Sequence, residues 1–279
     1  MEQISVIVSS FETAEKTARA GALPVLPVEG AHWRGMKGVS PAAQCPEFPY
    51  GAEISRLFRE SELDEVSKML AQPLIQNAAY VWFNDLCVLS DASGKLRRRL
   101  IYKPEFTVVS AADAGFWCSS GIAGVSISPL LTIHETEELL RRVPEAEVMI
   151  HGHCLMSASG RKLLSEYADR CSMANGAAHS FALKETTRSE RFAVRETGTD
   201  TLIYTDYVLE SFEELPRLLQ AGGHRFLIDG SFLDEEELLE ALKIYQALIR
   251  NADCRKEIAE FRAGRTGYAK GYYEQETIL

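Results

Sequence analysis

Paired cysteines are missing from this sequence. Its six cysteines stand at positions 45, 87, 118, 154, 171 and 254 without a recurring spacing, which argues against a disulfide framework; most read as small core side chains. Long apolar runs are missing too. No window approaches the ~18 uninterrupted apolar residues of a membrane span, and residues 1–16 (MEQISVIVSSFETAEK) hold no basic segment ahead of an apolar run and a small-residue cleavage site. The expectation is a cytoplasmic chain with no membrane association. Positive charge is scarce: 30 Lys and Arg face 40 Asp and Glu, a net charge of −10. That disfavours broad phosphate binding, which draws its affinity from Lys and Arg. Gly-x-Ser-x-Gly and His-Glu-x-x-His are absent, and so are internal repeats and low-complexity tracts.

What is present is an ordinary globular composition in 279 residues, a length compatible with one barrel or two domains. Residues 3–9 (QISVIVS) and 23–28 (LPVLPV) are short, apolar and β-branched, and they flank a helical pattern at 12–20, giving a βαβ opening. Residues 29–50 are rich in Gly and Pro and read as irregular. A charged amphipathic helix follows at 55–71, then strands at 79–83 and 96–102 with a turn at 91–94 between them. A helix at 111–119 precedes a strand at 124–128. Thr132 and Glu135 form a capping-box pattern at the head of a helix that runs to 142. Strands at 148–151 and 225–229 follow, and an acidic first turn opens a long helix at 234–249. This alternation predicts α/β, and in one unit of this length a TIM-barrel-like fold, 1–279 as a single domain, ahead of an open doubly wound sheet. Residues 192–206 break the rhythm as a hairpin (FAVRE, turn at Thr197-Gly198, TLIYTD), an inserted ribbon expected over one barrel mouth. Residues 29–50 make the barrel irregular.

Barrel sites lie at the C-terminal ends of strands, which makes His151 and Asp229 candidates. If pairing continued past His151, His153 would face the same side, a geometry usable by a metal or for proton transfer. The alternative, favoured because no carboxylate stands at ligand spacing, is that the strand ends by Gly152 and one histidine bonds the loop; no metal is expected. Ser159, Arg161 and Lys162 offer a serine–lysine pair or an anion clamp, and Arg161 is the stronger candidate because a guanidinium grips an oxyanion in a fork. Its other reading is a solvated residue at a helix N-terminus. Asp229 reads either as a ligand group or as a cap for the helix near Asp234. Residues 95–103 (Lys95, Arg97, Arg98, Arg99, Lys103) form the one strongly basic cluster, suited to phosphates or to guarding a strand edge. Arg188, Arg191 and Arg195 stand among glutamates and read as surface.

Residues 147–165 (EVMIHGHCLMSASGRKLLS) carry a frame of Glu147, Met149, Gly152, Gly160, Arg161 and Leu163-Leu164-Ser165. This resembles the signature of the collagenase-like peptidases of family U32, in which phenylalanine usually stands at the Met149 position and cysteines at the positions of Leu155 and Lys162. The likeness continues in order through 181–195, 201–206, 215–222 and 225–230, and residues 267–278 (GYAKGYYEQETI) are similar to the aromatic ending of shorter members. The resemblance implies a barrel-like fold and marks His151-Gly152 as a family feature.

Two activities are implied by that family: peptidase action, and hydroxylation of the tRNA wobble uridine with a prephenate-derived donor and an iron–sulfur cluster. The implied cluster ligands fall at Lys162, at two cysteines between Tyr167 and His179, and near 207–210. Here only Cys171 lies in that zone, with no further cysteine until Cys254, so no cluster is expected. With most of the family's cysteines absent, the resemblance leaves enzymatic activity open. The leading expectation is a cluster-free accessory partner of a cysteine-rich U32 paralogue, touching tRNA only indirectly. Its rivals are a collagenase-like peptidase, which would need an activated nucleophile or metal-bound water, and a small-molecule-binding barrel using Arg161 and His151. The aromatic rings of 268–273 are expected beneath the partner.

Overall fold

A computed structural model describes residues 3–34, 38–171, 180–184, 186–187 and 190–275. Seven short strands run along the first 152 residues: β1 (Gln3–Ile7), β2 (Leu23–Pro27), β3 (Gly51–Ile54), β4 (Val81–Phe83), β5 (Leu100–Tyr102), β6 (Gly124–Ser126) and β7 (Ala146–Gly152). Then come β8 (Leu155–Ser159), β9 (Ser180–Leu183), β10 (Phe192–Glu196), β11 (Thr201–Tyr204), β12 (Val208–Glu210), β13 (Arg225–Asp229) and β14 (Tyr268–Ala269). Strands β1 to β7 pair in sequence order, all parallel, and β13 closes the circle by pairing in parallel with both β7 and β1. The result is a closed eight-stranded parallel barrel with helices between most strands, an α/β TIM-barrel-like fold.

The helices form where the sequence supplies their ends. Ser10 caps Phe11–Arg19 by accepting from the Thr13 N–H at 3.1 Å. Thr132 and Glu135 close the anticipated capping box at the head of Ile133–Arg142, whose apolar face is buried on the barrel wall. The last long helix, Glu235–Ile249, begins after Asp234 with three glutamates in its first turn. No helix among the described residues is long and apolar enough to cross a membrane.

The inside of the barrel holds an apolar cluster of Ile7, Leu23, Val25, Trp82, Ile101 and Leu227. Gly51 makes room for the largest of these: a Cβ there would lie 2.4 Å from Cζ3 of Trp82. The Trp82 indole N–H donates to Glu147 at 2.8 Å, and Ser126 donates to the same carboxylate oxygen. Glu147, the first residue of the signature frame, is thus an internal brace between β4, β6 and β7.

The barrel is irregular where Gly and Pro predicted it. Between β2 and β3 the described residues hold no helix; an isolated bridge pairs Val28 with Val39 instead. The helix expected at 55–71 is shorter, a 3-10 turn Glu60–Glu62 followed by Leu63–Leu70. Residues 55–59 are loop because Ser55 and Arg56 are committed to the barrel mouth, where Ser55 Oγ accepts from Trp33 N at 2.9 Å. The strand expected at 96–102 begins only at Leu100, after a short helix Gly94–Arg97. Arg97 and Arg99 there spend their guanidinium groups on backbone carbonyls of Leu89, Ser120, Gln76 and Ala78, so the basic cluster is not a strand edge.

The hairpin at 192–206 is present as β10 and β11, joined antiparallel with Val194 opposite Ile203. It is part of a four-stranded antiparallel sheet, β8-β11-β10-β9. Leu155, Leu202 and Tyr204 of that sheet pack with Trp33, from the segment after β2, and with Phe232, just after β13. Both contacts lie beyond the C-terminal ends of barrel strands, so the sheet covers the mouth.

Candidate functional site at the barrel mouth

Beneath the covering sheet, five charged side chains meet. Arg34, buried to 1% exposure, directs its Nε at both Glu53 oxygens (2.9 Å each), one terminal nitrogen at Asp229 Oδ2 (2.9 Å) and the other at Glu105 Oε1 (2.7 Å) and Glu53. Lys103 donates to the same Glu105 oxygen at 2.6 Å and lies 4.0 Å from Glu53. Each residue arrives from the C-terminal end of a strand: Glu53 from β3, Lys103 and Glu105 just past β5, Asp229 from β13, and Arg34 from the irregular segment after β2. Three carboxylates against two cations leave one net negative charge.

The electrostatics follow from burial and pairing. Burial works against the Arg34 charge, but Glu105, Glu53 and Asp229 hold its proton well above the ordinary range. Burial would raise the Glu105 carboxyl, yet Arg34 and Lys103 outweigh it and hold it below its usual value. His32, beside this cluster, is driven down to about 4 by burial and by the Arg34 charge, and its Nδ1 accepts from Arg34 N at 3.1 Å. Tyr204 donates its hydroxyl to the Trp33 carbonyl, and burial pushes its pKa well above the ordinary phenol value, so it stays protonated.

The three candidates named from the sequence are not brought together. Asp229 lies in the mouth: Oδ2 accepts from Arg34, and Oδ1 accepts from Ser231 N at 3.0 Å and from its hydroxyl. Asp234, not Asp229, stands at the N-cap position of the following helix, where its side chain makes no capping bond. His151 points away from the mouth, off the outer face of β7, into a box of Phe212, Tyr245, Phe261 and Tyr268. Its Nδ1 lies 3.2 Å from the Tyr245 hydroxyl, and burial, with His153 nearby, depresses it to about 3. Arg161 is exposed just before the helix Leu163–Arg170, and its carbonyl accepts from Thr201 Oγ1 at 2.7 Å.

The two histidines do not share a face, because β7 ends at Gly152, whose φ is +118°. His153 Nδ1 lies 2.9 Å from the Thr205 carbonyl, a loop contact. Cys154 is buried, and burial together with Asp229 and Glu105 pushes its thiol up to about 12. Among the described residues no three His, Cys, Asp or Glu side chains are placed to hold a metal ion. Of the implied cluster zone, residues 172–179 lie outside the described residues, as do Arg188 and residues 276–278. Arg191 is exposed, whereas Arg195, read as surface, is half-buried over the Phe232 ring at 5.2 Å.

The aromatic ending does not form an open patch. Tyr273 is buried with its carbonyl accepting from Ile133 N at 3.1 Å, and Tyr268 packs on Phe261 and bonds Glu237. Only Tyr272 of the three rings is well exposed. Tyr268 and Tyr273 pack into this chain's own core, which corrects the expectation that a partner hides them.

Sequence reading missed Arg34, Glu53 and Glu105. A lone arginine in a Gly/Pro-rich stretch carries no periodicity, and Glu53 in the short run 51–54 makes a fully buried strand look polar. Lys103 stands out in the sequence only as the end of a basic run. The usable signal was the position of Glu53 and Lys103 at the ends of strands.

The sequence profile of peptidase family U32 matches residues 54–277. The chain belongs to peptidase family U32. Among known proteins, tRNA hydroxylation protein P of Escherichia coli (strain K12) is 39% identical over 64 residues, 22% of this chain and 14% of that protein. tRNA hydroxylation protein P2 of Bacillus subtilis (strain 168) is 23% identical over 207 residues, 70% of this chain and 66% of that one. Both matches therefore span less than two thirds of the relatives' own lengths. Among solved structures, the U32 peptidase Mk0906 aligns with a TM-score of 0.45 at 12% identity, covering 82% of this chain and 92% of that one.

Set in the U32 frame, the signature residues acquire physical roles. Glu147 braces Trp82 and Ser126 inside the barrel, and Gly152 lets β7 pass Asp229: a Cβ at 152 would lie 2.3 Å from the Asp229 carbonyl oxygen. The preserved part of the frame builds the barrel wall.

Proposed function

We propose that this U32 protein is an accessory partner in hydroxylation of the tRNA wobble uridine, acting in the cytoplasm beside a cysteine-rich U32 paralogue and carrying no iron–sulfur cluster of its own. The observation that carries this reading is the self-satisfied mouth. Arg34, Glu53, Glu105, Asp229 and Lys103 pair with one another under the covering sheet, and His151, Arg161 and Cys154 do not converge there. A peptidase needs an activated nucleophile near a base, and no such pair among the described residues supports the collagenase-like reading. The relatives named for tRNA hydroxylation support the pathway, and the scattered thiols support the division of labour. The acidic surface, with Arg97 and Arg99 occupied by carbonyls, supports only indirect contact with tRNA.

Deletion of the gene, with the wobble nucleoside measured by mass spectrometry, tests the reading; loss of the hydroxyl is expected, restored by the wild-type gene. Co-expression with a U32 paralogue followed by size exclusion is expected to give one complex. Unchanged modification in a strain lacking any compensating paralogue overturns the proposal. Gelatin or casein cleavage that survives repurification would establish the peptidase instead.

A further inference from the structure

Where the covering sheet meets the barrel there is a hollow of about 140 Å³ beside the ionic mouth. Trp33 comes to it from the segment after β2, Arg56 and Phe58 from the segment after β3, and Gly160 and Thr199 from the sheet. A second hollow of about 230 Å³ shares Arg56, Phe58 and Glu62 with it.

Two of the lining side chains are buried and carry an N–H that finds no acceptor among the described residues: Trp33 Nε1 and Arg56 Nε, on residues 5% and 9% exposed. An unanswered buried donor costs on the order of 1–3 kcal/mol. The neighbouring groups are already engaged. The other Arg56 nitrogens donate to Thr199 Oγ1 at 3.2 Å and to Glu62; Arg59 donates to the Gly160 carbonyl at 3.3 Å. Glu62 also accepts from Arg59 N at 2.8 Å, and Asp200 accepts from the Thr199 hydroxyl at 2.6 Å.

We propose that this hollow binds a small monocarboxylate, with Arg56 Nε and Trp33 Nε1 as its two donors. Both free groups are donors, one belongs to a permanent cation, and a charged acceptor makes the stronger bond to it. Arg56 and Arg59 balance Glu62 and Asp200, so a monoanion leaves one negative charge whereas a phosphate dianion leaves two. A dianion also presents more oxygens than there are free donors. The volume is close to that of the ~150 Å³ cavity known to hold benzene, which sets the guest at about one ring. Phe58 offers that ring an apolar wall, itself stacked by Arg56 at 4.6 Å. The proposal stands apart from the accessory reading and is tested without it.

The test is a benzoate titration of the full chain labelled with ¹⁵N, at constant ionic strength. Its three tryptophans give three indole N–H signals, and that of Trp33 is assigned by through-bond experiments and by loss in Trp33→Phe. Benzoate is expected to move the Trp33 signal saturably while that of Trp82, bonded to Glu147, stays put. Arg56→Lys keeps the charge but has no Nε and is expected to weaken binding at least about fivefold. Benzamide and inorganic phosphate are expected to bind at least about fivefold more weakly than benzoate. No saturable shift by roughly 10 mM benzoate means that the donors serve water only and overturns the proposal. So does an undiminished response in Arg56→Lys, or a response to benzamide or phosphate equal to that of benzoate. The Arg56→Lys comparison decides the matter even if Trp33→Phe does not fold.

Discussion

Arg34 and Glu105 meet at 2.7 Å, and Glu105 makes that contact from a left-handed backbone with φ of +68°. A side chain other than glycine held there costs on the order of 1–2 kcal/mol, and the ionic contacts with Arg34 and Lys103 are what the strain accompanies. Glu105→Gln is expected to lower stability by about 1–3 kcal/mol at pH 7. Because the folded protein holds this carboxyl below its usual value, its contribution is complete above the ordinary carboxylate range near ~4.3. It is lost as pH falls through the lower folded value. Urea unfolding at pH 7, 5 and 3.5 should therefore show the wild type and Glu105→Gln converging in acid.

Removing the central cation is the harsher change. Arg34→Met leaves three buried carboxylates facing Lys103 alone, and about 3–5 kcal/mol of destabilisation is expected. Adding Glu53→Gln and Asp229→Asn to the same chain should recover part of that loss, since the uncompensated charge is then gone. Thermal unfolding of the single and triple variants distinguishes charge from packing: a triple variant no more stable than Arg34→Met would mean that packing dominates.

The buried histidines set a second pH dependence of defined sign. His151 stays neutral in the fold down to about 3, and His32 down to about 4, whereas the unfolded chain protonates both near ~6.5. The unfolded state therefore binds more protons below that value, and stability falls on acidification from 6.5 toward those folded values. His151→Phe should remove roughly 1–2 kcal/mol of the loss between pH 6.5 and 5. Parallel stability profiles for variant and wild type would show that His151 is not neutral in the fold.

Gly152 tolerates no side chain. Its φ of +118° and the 2.3 Å approach of an added Cβ to the Asp229 carbonyl oxygen predict that Gly152→Ala costs at least ~2 kcal/mol. The displaced neighbour would be Asp229, so the spectroscopic environment of the mouth should change with it. A variant as stable as wild type, with unchanged chemical shifts at 229–231, would contradict the close approach.

Thiol chemistry separates the cysteines. Cys171 is exposed, whereas Cys154 is buried with its thiol pushed up to about 12. Iodoacetamide at pH 8 should label Cys171 first and leave Cys154 untouched until the chain unfolds, as read by peptide mass mapping. Rapid labelling of Cys154 in the folded protein would contradict its burial and raised pKa.

Much of the barrel was legible because its strands are apolar and its helices are capped. β1, β2, the capping box at Thr132 and Glu135, and β13 with its acidic-headed helix fall where periodicity and end signals put them. β3 was not legible: four residues with a glycine and a glutamate look like loop until Trp82 is seen filling the space over Gly51 and Arg34 is seen meeting Glu53. The same holds for β8, which reads as signature loop and becomes a strand only by pairing with β11. Of the candidate site, Asp229 was found because a strand-end carboxylate is a local pattern. Arg34 was not, because its partners lie 19, 71 and 195 positions away and nothing in its own neighbourhood announces them. His151 illustrates the converse: strand-end position alone does not tell which side of a barrel wall a side chain takes once the strand carries a bulge, here between Leu227 and Ile228 opposite Met149 and His151.

The closing strand β13 has a consequence for synthesis. β1 and β7 are neighbours of β13 and not of each other, so the first seven strands leave two unpaired edges until residues 225–229 emerge. During that interval the covering sheet and β12 are made, and β12 occupies the far end of β7 in antiparallel register. The residues of the lid are thus made before those that close the wall, and a stall ahead of Arg225 would release a chain with two unpaired sheet edges, prone to join another copy of itself.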